Sequence, residues 1–253
     1  MLVTGATGFL GKHLVSGPAT ANWQILAPGS RAMDIRRRET TISTIRDWQP
    51  SAVVHLASRK DDRSVIEEGT RHVAEGAAVV GARLVHLSTD VVFGGRAAPY
   101  TERDHPTPVT PYGRHKFAAE RAVAEIHPGA VIVRTSLIYG TDRPSPAQRH
   151  LAESLRSGKA SASMASFTDE FRGPVHADDL AAAIADLAGR PDVSGPLHVT
   201  GPERVSRAAF ADLMARHIGV ADARLPTTTL AESGLNWPGN VVLDVSKAAD
   251  LGI

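Results

Sequence analysis

Short apolar runs, each closed by glycine, proline or a small polar residue, alternate along the chain with longer stretches whose apolar positions recur at helical spacing. Met1-Leu2-Val3-Thr4 is the first run; it breaks at Gly5, and Lys12-His13-Leu14-Val15 carries the chain into a helix. Trp23 to Ala27 reads as a second strand, ended by Pro28-Gly29. Ile42, Ile45 and Trp48 share one helical face, and Ala52 to Ser58 is an apolar run suited to a central parallel strand. A helix over 63–79, a strand over 83–87, a helix through 116–126 and a strand over 130–135 continue the alternation. Helices at 147–157 and 206–218 flank a last strand at 195–200. The pattern predicts an α/β architecture, in which chemistry gathers at the C-terminal edge of the sheet.

The first turn at that edge is rich in glycine: Gly5-Ala6-Thr7-Gly8-Phe9-Leu10-Gly11. Glycine tolerates positive φ and lets backbone N–H groups approach a pyrophosphate at a helix N-terminus, where the macrodipole favours negative charge. About 20 residues further on, an acid would bind the adenosine 2′-OH of NAD, whereas an arginine accommodates the 2′-phosphate of NADP. Ser30 and Arg31 stand there, so NADP(H) is favoured and NAD(H) is the alternative. Arg36, Arg37 and Arg38 read as a solvated helix face.

Pro111 can open a helix but not continue one, so Tyr112 and Lys116 fall one turn apart on the same face. A free tyrosine titrates near ~10, and a cation beside it favours the phenolate, which makes the pair a tuned general acid/base. A surface tyrosine beside a solvated lysine is the plain alternative. Upstream, the strand at 83–87 delivers Ser88-Thr89-Asp90 to the sheet edge, where a hydroxyl can stabilise a developing alkoxide or simply cap a turn. His55 has no His-x-His or His-x-x-x-His partner and reads as a core or strand-end histidine, with no metal implied.

Composition narrows the classes. A chain of 253 residues, 42% hydrophobic and 22% charged, can bury a full core. Its net charge of +1 presents no basic field for nucleic acid or an anionic membrane, and no uncharged apolar run approaches the ~18 residues of a membrane span. With no cysteine there are no disulfides, thiolate metal sites or cysteine nucleophiles. The expected compartment is the cytoplasm. A homodimer is compatible with the chain, whose residues do not fix an oligomeric state.

The glycine turn combined with Tyr112-x-x-x-Lys116 resembles the extended branch of the short-chain dehydrogenase/reductase superfamily. Within it, the chain is most similar to dTDP-4-dehydrorhamnose reductases, through Ser88–Gly95, Tyr112–Glu120, Arg134–Gly140, the Asp169–Ala181 region and the tail Pro238–Lys247. The resemblance implies a doubly wound parallel Rossmann sheet over 1–140 and 175–200, with a small substrate lobe from 141–174 and 201–253. It implies catalysis by Thr89, Tyr112 and Lys116. Cofactor contacts are implied for Gly5, Thr7, Gly8, Phe9, Leu10, Gly11, Ser30, Arg31, Asp34, Ile35, Leu56, Ala57, Ser58, Thr135 and Leu137, and Tyr112 and Lys116 join them. Substrate contacts fall to Asp90, Val91, Phe93, Phe171, Arg172 and Trp237. Ile66 stands where the family carries an Asn, and Val91 where an aromatic residue is usual. The implied activity is NAD(P)H-dependent reduction of a small-molecule ketone, such as a 4-keto nucleotide sugar. A nucleotide-sugar epimerase is a second enzymatic reading, and a non-catalytic NADP-binding regulatory subunit a third.

Overall fold

The computed structural model describes residues 1–157, 165–220 and 225–253. The chain enters on β1 (Leu2–Thr4), turns through the glycines into α1 (Phe9–Ser16), and reaches α2 (Arg38–Trp48) and β2 (Ala52–His55). After α3 (Gly69–Val79) and β3 (Arg83–Thr89), a long loop crosses to α4 (Pro111–Ile126), which leads into β4 (Val131–Thr135). Short strands β5 (Ile138–Tyr139), β6 (Ser166–Phe167), β7 (Phe171–Arg172) and β8 (Val175–His176) follow, with α5 (Pro146–Arg156) among them. The remainder is α6 (Ala177–Ala188), β9 (Gly195–His198), β10 (Val205–Ser206), α7 (Arg207–His217), β11 (Thr227–Thr228), α8 (Leu230–Ser233) and α9 (Ser246–Asp250).

Strands β1-β2-β3-β4-β9 form one sheet, parallel throughout. Alternate strand residues face opposite sides, and both sides are covered. Val3, Val54, Val85 and Val133 pack with Leu10 and Leu14 of α1 and with Leu180 and Ile184 of α6. Leu2, Val53, Leu84 and Ile132 pack against Ile45 of α2, Val73 of α3 and Val123 of α4. Helices on both faces make this a doubly wound sheet. Each fully buried aliphatic side chain contributes about 1.5–3 kcal/mol relative to exposure, so the two layers fix the sheet edge on which the site sits.

Two departures from the pattern have local causes. Residues 23–27 form no strand: Leu26 meets Leu2 in a single bridge, held by Val3 N to Leu26 O at 2.8 Å and Leu26 N to Met1 O at 2.9 Å, before Pro28-Gly29 turns the chain away. The helix over 63–79 forms despite its glycines but opens with a π turn, Ser64–Glu68. Its glycines are packing positions, since a Cβ on Gly69 would stand 2.7 Å from Ile35 Cδ1 and one on Gly76 2.7 Å from Ile45 Cδ1. Further on, β7 pairs antiparallel with β10. Among the described residues, no helix is long and apolar enough to cross a membrane.

Candidate active site

The glycine turn is built as its sequence requires. Gly5 has φ +72°, and a Cβ there would lie 2.6 Å from Ala57 N, so any side chain would collide with the backbone just past β2. On the first turn of α1, a Cβ on Gly11 would lie 2.3 Å from Gly5 O. Backbone therefore packs on backbone, and Gly8 caps α1 without a side chain in the way of its first amides.

A cleft of about 330 Å³ opens beside this turn. Gly5, Thr7, Gly8, Ser30, Asp34, Ile35, Leu56, Ala57 and Ser58 line it, joined by Met33, Arg36 and Val65. Donors at the helix end, a polar rim and apolar Ile35 and Val65 suit the pyrophosphate, ribose and base of a dinucleotide. Phe9, Leu10 and Gly11 stand behind the turn on α1, Leu10 and Gly11 buried. Arg31 is exposed and does not line the cleft; Arg36 does, gripping Asp34 through Nε at 2.9 Å and Nη2 at 2.7 Å. That pair holds the Asp34 carboxyl down at about 2, with the Arg36 hydrogen bond as the main cause. The arginine expected to be a mere solvated face thus sits nearer the cleft than the one expected to read a phosphate.

The three proposed catalytic groups stand on two neighbouring elements, Thr89 at the end of β3 and Tyr112 and Lys116 on α4. Thr110 caps α4 by accepting from Gly113 N, Pro111 occupies the first turn, and Tyr112 emerges beside Ser58. Burial pushes the Tyr112 phenol up, the hydrogen bond from Ser58 opposes this, and the Asp90 charge adds to it. Lys116 is buried and donates to Leu87 O at 2.6 Å. Burial lowers its pKa to about 8, against the pull of Glu120 one turn along. Burial thus holds the Tyr112 phenol above its ordinary range, opposite to the lowering that its spacing from Lys116 suggests. The Lys60 ammonium lies 5.9 Å from the Tyr112 ring centre, a neighbour that the helical spacing could not reveal. Thr89 caps the turn Asp90–Val92, accepting from Val91 N at 3.4 Å and donating to Asp90 Oδ1 at 3.2 Å.

The residues expected to face substrate divide in two. Asp90 is buried, accepts from the Ser136 hydroxyl and lies 3.3 Å from Arg172 Nη1. Arg172, 2% exposed, also donates through Nη2 to Glu170 at 2.8 Å, and Trp237 Nε1 donates to the same carboxylate at 3.1 Å. Phe93, by contrast, is wholly buried, stacked on Tyr100 at 4.0 Å within a cluster of Val92, Val241 and Leu243; it is core and cannot touch a substrate. Val91 is buried too, and Phe171 lies beneath the Arg204 guanidinium at 3.4 Å. Thr135 ends β4, buried, and Leu137 lines a separate cavity of about 320 Å³ shared with Arg207. Glu170, Ser136 and Arg207 were not singled out from the sequence. A buried arginine needs a carboxylate, and that demand was the signal available for Glu170.

With this geometry in view, likeness to other proteins becomes informative. The sequence matches the family described as RmlD substrate binding domain over residues 1–253. The chain belongs to that family. It is 31% identical to methionine adenosyltransferase 2 subunit beta of Rattus norvegicus over 100% of this chain and 82% of the rat protein. It is 32% identical to dTDP-4-dehydrorhamnose reductase of Sinorhizobium fredii over 83% of this chain and 75% of that protein. The solved dTDP-4-dehydrorhamnose reductase of Bacillus anthracis, in complex with NADP, superposes with a TM-score of 0.86 at 25% identity, covering 100% of this chain and 92% of the other. Sequence family and fold together make the chain an extended short-chain dehydrogenase/reductase, an NAD(P)-dependent oxidoreductase by type.

Proposed function

We propose that the chain binds NADP(H) in the cleft beside Gly5 and reduces the carbonyl of a small-molecule ketone, a 4-keto nucleotide sugar being one such substrate. The carrying observation is that the Tyr112 ring lies 5.9 Å from the Lys60 ammonium, directly after Ser58 and Arg59 in the wall of the dinucleotide cleft. A bound nicotinamide supplies hydride; everything else is the work of side chains. Burial keeps Tyr112 protonated, as a donor to a nascent alkoxide must be. Thr89, released from its cap, offers a second hydroxyl to the same oxygen. Lys116 contributes positive charge beneath the site below about pH 8.

A regulatory, NADP-binding role without turnover is the second reading. One observation favours it: similarity over the whole of this chain to a methionine adenosyltransferase subunit. NADPH fluorescence titration followed by oxidation against 4-keto nucleotide sugars and smaller ketones separates the two. Binding with turnover on at least one ketone is expected; binding without turnover on any would transfer the case to the regulatory role. The same titration tests cofactor choice. Because Arg36 lines the cleft and Arg31 does not, Arg36→Ala should weaken NADPH binding more than NADH binding. A larger NADPH-selective loss in Arg31→Ala would restore Arg31 as the residue that reads the phosphate.

A further inference from the structure

Below the cleft, three side chains form a path that this chemistry does not use. His55 ends β2, fully buried, two residues before Ala57. Its Nδ1 is 2.6 Å from Thr4 Oγ1, and its Nε2 is 3.0 Å from Thr70 Oγ1 on α3. Thr4 Oγ1 also accepts the Ala57 amide at 3.3 Å. Thr70, His55, Thr4 and Ala57 thus connect a helix to the C-terminal ends of β1 and β2. The Ala57 amide is the atom against which Gly5 is packed, so its position sets the spacing between the glycine turn and the facing wall of the cleft.

The same segment of α3 supports the other end of that wall. Gly69 receives the Ile35 side chain, the His72 ring lies 2.8 Å from Ile35 O, and Ile35 lines the cleft. His55 stacks on His86, ring centres 5.3 Å apart. Burial, with the Lys116 charge as a lesser cause, lowers the His55 pKa to about 3. A neutral imidazole carries one donor and one acceptor nitrogen, so in either tautomer it joins both hydroxyls and stays uncharged at neutral pH.

We propose that His55 is a positioning residue of the dinucleotide cleft, carrying the placement of α3 through Thr4 to the Ala57 amide. The proposal rests on the dinucleotide reading of the cleft. A histidine that merely filled core volume would affect stability alone, whereas this one also affects cofactor affinity.

The test compares wild type, His55→Phe, His55→Gln, Thr70→Val and the His55→Phe/Thr70→Val double variant, each held well below its own Tm. NADPH Kd, kcat at saturating NADPH and amide hydrogen exchange at Ala57 are measured. His55→Phe should weaken NADPH roughly tenfold, the equivalent of one lost hydrogen bond, with a much smaller change in kcat. Ala57 exchange should accelerate. Thr70 does not line the cleft, yet Thr70→Val should shift Kd in the same direction, and the double variant should bind no more weakly than His55→Phe alone. His55→Gln, which keeps a donor and an acceptor, should recover part of the loss. If His55→Phe and Thr70→Val lower Tm but leave Kd and Ala57 exchange as in wild type, His55 is core packing and the proposal is wrong. Should wild type itself fail to bind NADPH, the cofactor reading falls, and Ala57 exchange in Thr70→Val, whose fold is least disturbed, decides the relay alone: faster exchange upholds it and unchanged exchange overturns it.

Discussion

Tyr112→Phe should leave NADPH affinity near that of wild type and lower single-turnover ketone reduction by about 10²–10⁴-fold, the span general acid catalysis supplies. The substitution removes one hydroxyl and keeps the ring that Lys60 overlies, so a loss confined to the chemical step identifies the proton donor. The pH profile sharpens this. Tyr112 is pushed above its ordinary range by burial, whereas Lys116 is lowered to about 8, so an alkaline decline near pH 8 belongs to Lys116. The sign is fixed: as pH rises through that value Lys116 loses its charge, and contacts that need an ammonium go with it. In Lys116→Arg, which stays protonated, the decline should move upward. If Tyr112→Phe reduces an accepted ketone at the wild-type rate, the mechanism is wrong and the regulatory role becomes the better account.

What the sequence disclosed follows from how local each signal is. The glycine turn was legible because its constraint lies within a few residues: positive φ at Gly5 and backbone contact at Gly11 leave little choice of residue. Strands β2, β3 and β4 were legible because both faces are buried and the residues run apolar. The segment at 23–27 looked equally strand-like, but pairing is decided by a partner, and only Leu26 finds one. The site divides the same way. Spacing put Tyr112 and Lys116 on one helical face, yet spacing cannot say which carbonyl the lysine meets, and Leu87 lies 29 positions away in sequence. The family resemblance alone points Phe93 toward the substrate. Its ring instead fills the layer against Tyr100, because the turn at Asp90–Val92 redirects the chain inward. Arg36 is exposed as expected, yet its pairing with Asp34, two residues back, also puts it on the cleft, and a run of arginines hides such a pair.

The largest expected loss of stability lies behind the catalytic edge, at Glu120. Its carboxylate accepts from Arg134 through Nε at 3.1 Å and Nη2 at 2.8 Å and receives the Ser88 hydroxyl; both charged side chains are 4% exposed. The pair ties β3, α4 and β4 together directly beneath Thr89 and Lys116. Two charges so deep are a weak net source of stability when intact, because desolvation offsets their attraction, but removing one strands the other. Glu120→Ala should therefore cost about 3–5 kcal/mol in urea unfolding, while replacing Glu120 and Arg134 together by leucine should recover much of it. Glu120→Gln retains volume and hydrogen-bonding groups and should fall between. It has a further consequence at the site: Glu120 raises the Lys116 pKa, so its neutralisation should carry the alkaline decline in activity below about pH 8. A loss of under ~1 kcal/mol in Glu120→Ala would mean that water reaches Arg134 and that the pair behaves as a surface bridge. A decline left at the wild-type pH in Glu120→Gln would show that Glu120 does not govern the lysine.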